Sequence, residues 1–184
     1  EGKLITVRTH TRFVHFPAHR HNFIEVLYVC EGSVTNIIDG KKVVVGKGEL
    51  LFLNQYTKHE LLPAGESDIA INFMILPEFF DVTYSMAGRN NVLADFLVNI
   101  LRQDEEKGEY LYFRVAEVLQ IQNLLENMTR SLLNQTRNSK RILQATMGVL
   151  LMELSNRTYT ITVGSPSSYE SQIVLEALRY IEEN

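Results

Sequence analysis

The side chains best suited to chemistry lie in one short segment and at one later position. His19, His21 and Glu25 would share one face of a continuous β-strand, on which successive side chains point to opposite sides. His59, about two predicted strands further along, could supply a third imidazole. Imidazole nitrogens with a carboxylate suit zinc, iron, manganese, nickel or copper, and the spacing does not choose among these metals. The same side chains could instead line the mouth of a binding cavity, hydrogen-bonded to one another or to water.

Short apolar runs separated by turn residues surround this segment and predict the strands that would hold it. The runs cover residues 4–8, 23–30, 34–38, 43–45, 50–53 and 69–75. Runs of this length and spacing are typical of an all-β sandwich or barrel. Asp39-Gly40 suits a two-residue type I′ turn, and this predicts a hairpin in which Asn36 lies opposite Val43.

From about residue 90 the apolar period becomes helical. The pattern predicts amphipathic helices over about 92–101, 113–134 and 139–155. Together they offer more apolar surface than a small barrel covers, so we expect part of it to form a homodimer interface. The preferred seam has apolar intervals of seven, three and four along the second helix, and it consists of Val118, Leu125, Met128 and Leu132.

The segment with the histidines resembles a known sequence motif. His19-x-His21-x3-Glu25-x6-Gly32 matches the first cupin motif, except that Phe13 stands where the motif begins with glycine. The second cupin motif is degenerate. Gly48 and His59 match its ends, whereas its proline, second glycine and closing asparagine are replaced by Asn54, Tyr56 and Pro63.

An eroded second motif is expected of the sugar-sensing cupins in AraC-type transcription regulators, and the chain resembles that family over most of its length. The stretches 23–29, 48–54 and 71–75 resemble the sensor domain, and 173–184 resembles the first helix of the DNA-binding domain. The resemblance implies an α+β chain. Its expected parts are a cupin-like β-barrel of the jelly-roll type (1–85), a helical dimerisation segment (86–160), a linker (161–170) and the start of a truncated helix-turn-helix domain (171–184).

The resemblance also implies that the barrel binds a small-molecule effector, with a sugar as the family-level expectation. We expect its ligand-binding residues to be His19, His21, Glu25, Asn36, His59 and Asn72. No catalytic residue and no cofactor is expected. A divalent transition metal, if one is bound, would have His19, His21, Glu25 and His59 as its ligands. His10 and His15 have no partner pattern and are interpreted as surface or barrel-edge residues.

Composition excludes several classes of protein. Eighteen basic against 22 acidic residues give a net charge of −4, so we expect promoter DNA to be bound only through a missing C-terminal domain. A lone Cys30 excludes an internal disulfide and a cysteine-only zinc site. No apolar run approaches the length of a membrane span, and no signal peptide is visible, which predicts a cytoplasmic protein without membrane contact.

Two alternatives to a sensor remain open from the sequence. One is a metal-dependent cupin enzyme, a dioxygenase or an isomerase, that uses the three histidines and Glu25. The other is a dimerisation module that binds no ligand.

Overall fold

The computed structural model describes residues 3–102, 106–164 and 180–181. Its strands are β1 (Ile5–Thr9), β2 (Phe16–His19), β3 (Ile24–Glu31), β4 (Ser33–Ile38), β5 (Lys41–Gly46), β6 (Leu50–Leu53), β7 (His59–Leu61), β8 (Ile69–Ile75), β9 (Tyr110–Phe113) and β10 (Ile161–Gly164). Its α-helices are α1 (Val92–Arg102), α2 (Leu119–Leu133) and α3 (Ser139–Ser155), with short 3-10 turns between β8 and α1 and before β10.

The strands form two antiparallel sheets. The larger sheet has six strands in the order β1-β8-β3-β6-β9-β10, and the smaller has four in the order β2-β7-β4-β5. The expected α+β class is therefore confirmed as a mostly β chain with three α-helices in the part that the structure describes. None of these helices is long and apolar enough to cross a lipid bilayer.

The β4–β5 hairpin forms as the sequence predicts. Asn36 pairs with Val43 across it. Asp39 and Gly40 have φ angles of 51° and 73°, the left-handed pair that a type I′ turn requires. This hairpin places Asn36 in the smaller sheet, with its side chain buried.

The six-stranded sheet is buried on both of its faces. Side chains on one face of β3, such as Val26, pack with residues of all three helices in the larger apolar cluster. Side chains on the other face, such as Leu27 and Val29, pack with Val34 and Val45 of the smaller sheet. The helices therefore cover one face of the large sheet, while the small sheet covers the other.

Two strands contradict the predicted domain boundaries. The β9 segment was expected to lie outside the barrel and to lead into a helix from 113, but it pairs with β6, and α2 begins only at Leu119. The predicted linker began at 161, but Ile161–Gly164 is strand β10, paired with β9. The part of the linker over 165–170 lies outside the described residues, and so does the predicted DNA-binding start over 171–184, except for 180–181. Local periodicity missed both strands because pairing between distant segments leaves no local pattern.

The predicted dimer seam on α2 is wrong for its central residues. Leu125 and Met128 are each 1% exposed within the single chain, where they belong to the core between helices and sheet. Val118 and Leu132 are partly buried against the same core. The apolar surface of α2 is thus used within the chain, because α2 packs against α3 and the large sheet lies beneath them.

Candidate functional site

The candidate site lies where the end of β2, the start of β3 and the start of β7 meet. The sequence suggested one continuous strand through the histidines, but β2 ends at His19 and β3 begins only at Ile24, with a bend between them. The side chains converge nevertheless. His19 lies directly opposite His59 in the β2–β7 pair. His21, in the connection between β2 and β3, and Glu25, on β3 of the larger sheet, lie beside them.

Four polar side chains form one cluster there, the His–Glu cluster: His19, His21, Glu25 and His59. The Nε2 atoms of His19 and His21 are 3.1 Å apart. Glu25 Oε2 lies 3.6 Å from His21 Nε2 and 3.7 Å from His59 Nε2. One nitrogen from each of the three imidazoles lies within 4.8 Å of the other two.

Burial controls the charge of the cluster. Removal from water raises the pKa of Glu25 to about 7, against the opposing effect of the nearby Arg8 charge. Burial first, and then the neighbouring His19 and His21, together lower the pKa of His59 to about 3. Burial first, and His19 second, also lower the pKa of His21. His59 is therefore neutral at physiological pH and offers a nitrogen lone pair.

A pocket of about 500 Å³ opens beside the cluster, between β1, β2 and the middle of β8. Of the predicted ligand-binding residues, four line it: His19, His21, Glu25 and Asn72. The other two, Asn36 and His59, are both 1% exposed and are hydrogen-bonded to each other outside that lining. The pocket volume falls within the usual range for a site that encloses one small molecule.

Sequence reasoning missed the contribution of β1 to the pocket. Arg8 lines it from this strand, His10 from the position just after the strand, and Phe16 from β2. His10 was expected at the surface or at the barrel edge; it directly follows the edge strand β1, is 9% exposed, and its Nδ1 lies 3.2 Å from the side-chain nitrogen of Asn72. His15 lies outside the pocket and contacts Glu60. The alternation of Arg8 and His10 along one strand face was the signal that could have found them.

The cluster fits a divalent transition metal. Two ligand atoms at about 2.1 Å from one ion lie roughly 3.0–3.4 Å apart, close to the separations measured here. His59 Nε2 is buried and has no hydrogen-bond partner among the described residues, as expected of an atom that could ligate a metal ion. His19, His21, His59 and Glu25 would hold such a metal. When bound, it would act as a Lewis acid that attracts oxygen atoms of a molecule in the pocket.

Comparison with known families decides the identity of the fold. A model of the AraC-like ligand binding domain matches residues 2–161, which is most of the chain. The chain belongs to this family. No curated protein sequence matches it.

Solved structures agree with the AraC-like fold. Apo ToxT K231A from Vibrio cholerae strain SCE256 is 10% identical, with a TM-score of 0.61, over 90% of this chain and 61% of that one. ToxT from V. cholerae O395, bound to (E)-4-(8-methylnaphthalen-1-yl)but-3-enoic acid, is 11% identical, with a TM-score of 0.52, over 84% and 57%. A cupin protein from Bacteroides fragilis matches 39% of this chain at 20% identity and a TM-score of 0.32. The chain spans about three fifths of the length of the ToxT chains.

The departures from the cupin motifs have structural explanations within this AraC-like domain. Phe13, at the first motif's glycine position, keeps a left-handed φ of 65°. Asn54, at the second motif's proline position, is buried and joins β6 to the segment before β9. Its Oδ1 accepts hydrogen bonds from Thr57 Oγ1 and Glu109 N, and its Nδ2 donates to the Lys107 carbonyl.

Proposed function

We propose that this chain is the effector-sensing and dimerisation part of a cytoplasmic AraC-type transcription regulator. The pocket beside the His–Glu cluster would bind the effector, and the bound state would control DNA binding by a domain outside this sequence. The observation that carries the proposal is the pocket itself, which combines ligand-sized volume with polar side chains in a chain of a ligand-binding family. Because the chain belongs to a regulatory family, a sensor is favoured over the alternative of a metal-dependent enzyme.

The lining favours a small polar effector such as a sugar. Glu25 and Asn72 present hydrogen-bonding groups, and the buried Oδ1 of Asn72 has no partner within the described residues. Phe16 and Leu61 supply apolar walls against which a sugar ring could pack. Arg8 adds a positive charge at the same pocket, so acidic sugars belong among the candidates. A ToxT structure with a small organic acid bound supports a ligand role for the fold.

The test is ligand binding by the chain and by two matched variants. Neutral pentoses and hexoses and the corresponding sugar acids are titrated by calorimetry, after a thermal-shift screen at millimolar concentration. Glu25→Ala should weaken binding of the selected sugar by about 1–3 kcal/mol, because Glu25 hydrogen-bonds to it in a buried site.

The control for this test is Glu31→Ala. Glu31 lies on the same strand, but it is exposed and its carboxylate pairs with Lys47 at the surface, so its loss should leave binding unchanged. Equal binding by Glu25→Ala and the parent would show that Glu25 is not part of the binding site. A screen in which no sugar or sugar acid binds would contradict the proposed effector class.

We place the proposed dimer contact on α3 instead of α2. Its solvent face carries Ile142, Ala145, Val149 and Met152, all exposed. Their intervals of three, four and three are those of a helix-on-helix seam. This face has no partner within the described residues, and a second copy of the same helix would cover it by two-fold symmetry.

A further inference from the structure

The buried amide of Asn36 stands directly behind the His–Glu cluster. Asn36 is on β4 and His59 is on β7, where the register makes them diagonal neighbours. Asn36 Oδ1 lies 2.9 Å from His59 Nδ1, and both side chains are 1% exposed. Because the amide oxygen can only accept, this contact requires a proton on His59 Nδ1.

That proton determines what His59 offers to the cluster. A neutral imidazole protonated on Nδ1 carries its lone pair on Nε2. His59 Nε2 lies 3.7 Å from Glu25 Oε2 and, although it is buried, has no hydrogen-bond partner in the part of the chain that the structure describes. A buried acceptor without a donor is costly, and a metal ion would satisfy it.

The same arrangement recurs at a second member of the cluster. His19 Nδ1 lies 2.7 Å from the Pro17 carbonyl oxygen, to which it must donate. In a neutral ring with this donor, Nε2 is the lone-pair atom, and it lies 3.1 Å from His21 Nε2. Metal-binding histidines usually donate their other N–H to an oxygen in this way, which fixes the ring orientation.

We infer that Asn36 is a positioning residue for a divalent transition metal held by the His–Glu cluster. The amide oxygen of Asn36 keeps His59 in the tautomer protonated on Nδ1, in which Nε2 can ligate the metal. Three imidazoles with one carboxylate suit zinc or cobalt(II). This inference does not rest on the proposed sugar effector, since the metal alone is the ligand.

The first experiment reads the tautomer directly. Long-range ¹H–¹⁵N correlation spectra of the chelator-treated chain should show His59 protonated at Nδ1 and unprotonated at Nε2. Asn36→Leu, which removes the acceptor, should lose this single tautomer. A parent protein with His59 protonated at Nε2 would overturn the inference, because the amide would then be donating to the ring.

The second experiment measures metal affinity by competition of Zn²⁺ and Co²⁺ against a chromophoric chelator. The parent should bind one ion per chain, and Co²⁺ should give visible d–d bands. Asn36→Leu should bind about 10–100-fold more weakly, the usual loss for such a contact. Asn36→Asp keeps an acceptor oxygen and should stay within a few-fold of the parent.

Two controls keep this experiment decisive. His15→Gln removes an exposed histidine that contacts Glu60 outside the cluster, and it should leave affinity unchanged. Asn36→Val suits a strand and replaces Asn36→Leu if the latter does not fold by circular dichroism. Absence of stoichiometric binding by the parent, or equal affinity in the parent and the folded apolar variant, would refute the role of Asn36.

Discussion

At the scale of single residues, the glycine of the first cupin motif is explained by its backbone conformation. Gly32, which closes the first motif, has a φ of 71°, and a Cβ there would overlap the Asp68 carboxylate. Asp68 in turn accepts hydrogen bonds from Ser33 N and Gly65 N. The motif glycine therefore allows one carboxylate to join the β3–β4 turn to the loop before β8.

This carboxylate makes a pH-dependent contribution to stability. The hydrogen bond from Ser33 N, and then that from Gly65 N, lowers the pKa of Asp68 below its usual value. A lowered pKa means that the stabilisation is complete above the unfolded-state pKa and disappears as the pH falls through the folded-state pKa. Asp68→Ala should therefore reduce the free energy of unfolding at pH 7 but have a shrinking effect from about pH 4 downwards.

Urea unfolding from pH 7 to pH 3 measures this difference. Glu66→Ala, in the same loop with its side chain exposed, serves as the control and should show no such trend. A deficit for Asp68→Ala that stays constant down to pH 3 would show that the bonds do not depend on the ionised carboxylate.

At the scale of elements, the sequence predicted what is local and missed what is distant. Asp39-Gly40 predicted the hairpin register because the turn geometry is set by two adjacent residues. No strand was predicted at Tyr110–Phe113, because four apolar residues carry no period that distinguishes strand from helix. The histidines lie together through the β2–β7 pairing and a bend between β2 and β3, which no local pattern encodes.

The connection between β6 and β9 depends on Asn54 and offers a test at this scale. Its side chain satisfies donors and acceptors from Thr57, Lys107 and Glu109 at once. Asn54→Ala should lower the free energy of unfolding by roughly 2–4 kcal/mol, because several buried groups lose their partners together. Chemical denaturation measures this, with Asn127→Ala on the exposed face of α2 as a control expected within about 0.5 kcal/mol of the parent.

At the scale of the whole molecule, the inner and outer faces of the helices differ in what they contact. Their inner residues complete the core over the large sheet. On α3 the outer face is also apolar, with Val149 and Met152 about two fifths exposed. Sequence periodicity identified apolar stripes on both helices but not which stripe the chain itself covers, because that depends on how α2 and α3 pack together.

The two candidate seams are distinguished by one pair of substitutions. Val149→Glu places a charge on the exposed α3 face, so the chain should remain folded and become monomeric in sedimentation velocity at micromolar concentration. Leu125→Glu places the same charge in the core, where no partner compensates its desolvation, and it should lose cooperative unfolding instead of yielding a folded monomer.

The matched control is Asn127→Glu, the same charge change on the exposed face of α2, which should remain folded and dimeric.

In an antiparallel pair of α3 helices, Lys140 and Arg141 of one copy would approach the end that carries Glu153 in the other. Dimerisation should therefore weaken moderately with salt, while the apolar seam supplies most of the affinity. A Val149→Glu variant that stays dimeric would exclude the α3 face. A parent that is monomeric at micromolar concentration would exclude dimerisation through this chain, because the proposal provides no source of affinity other than two-fold contact of this seam.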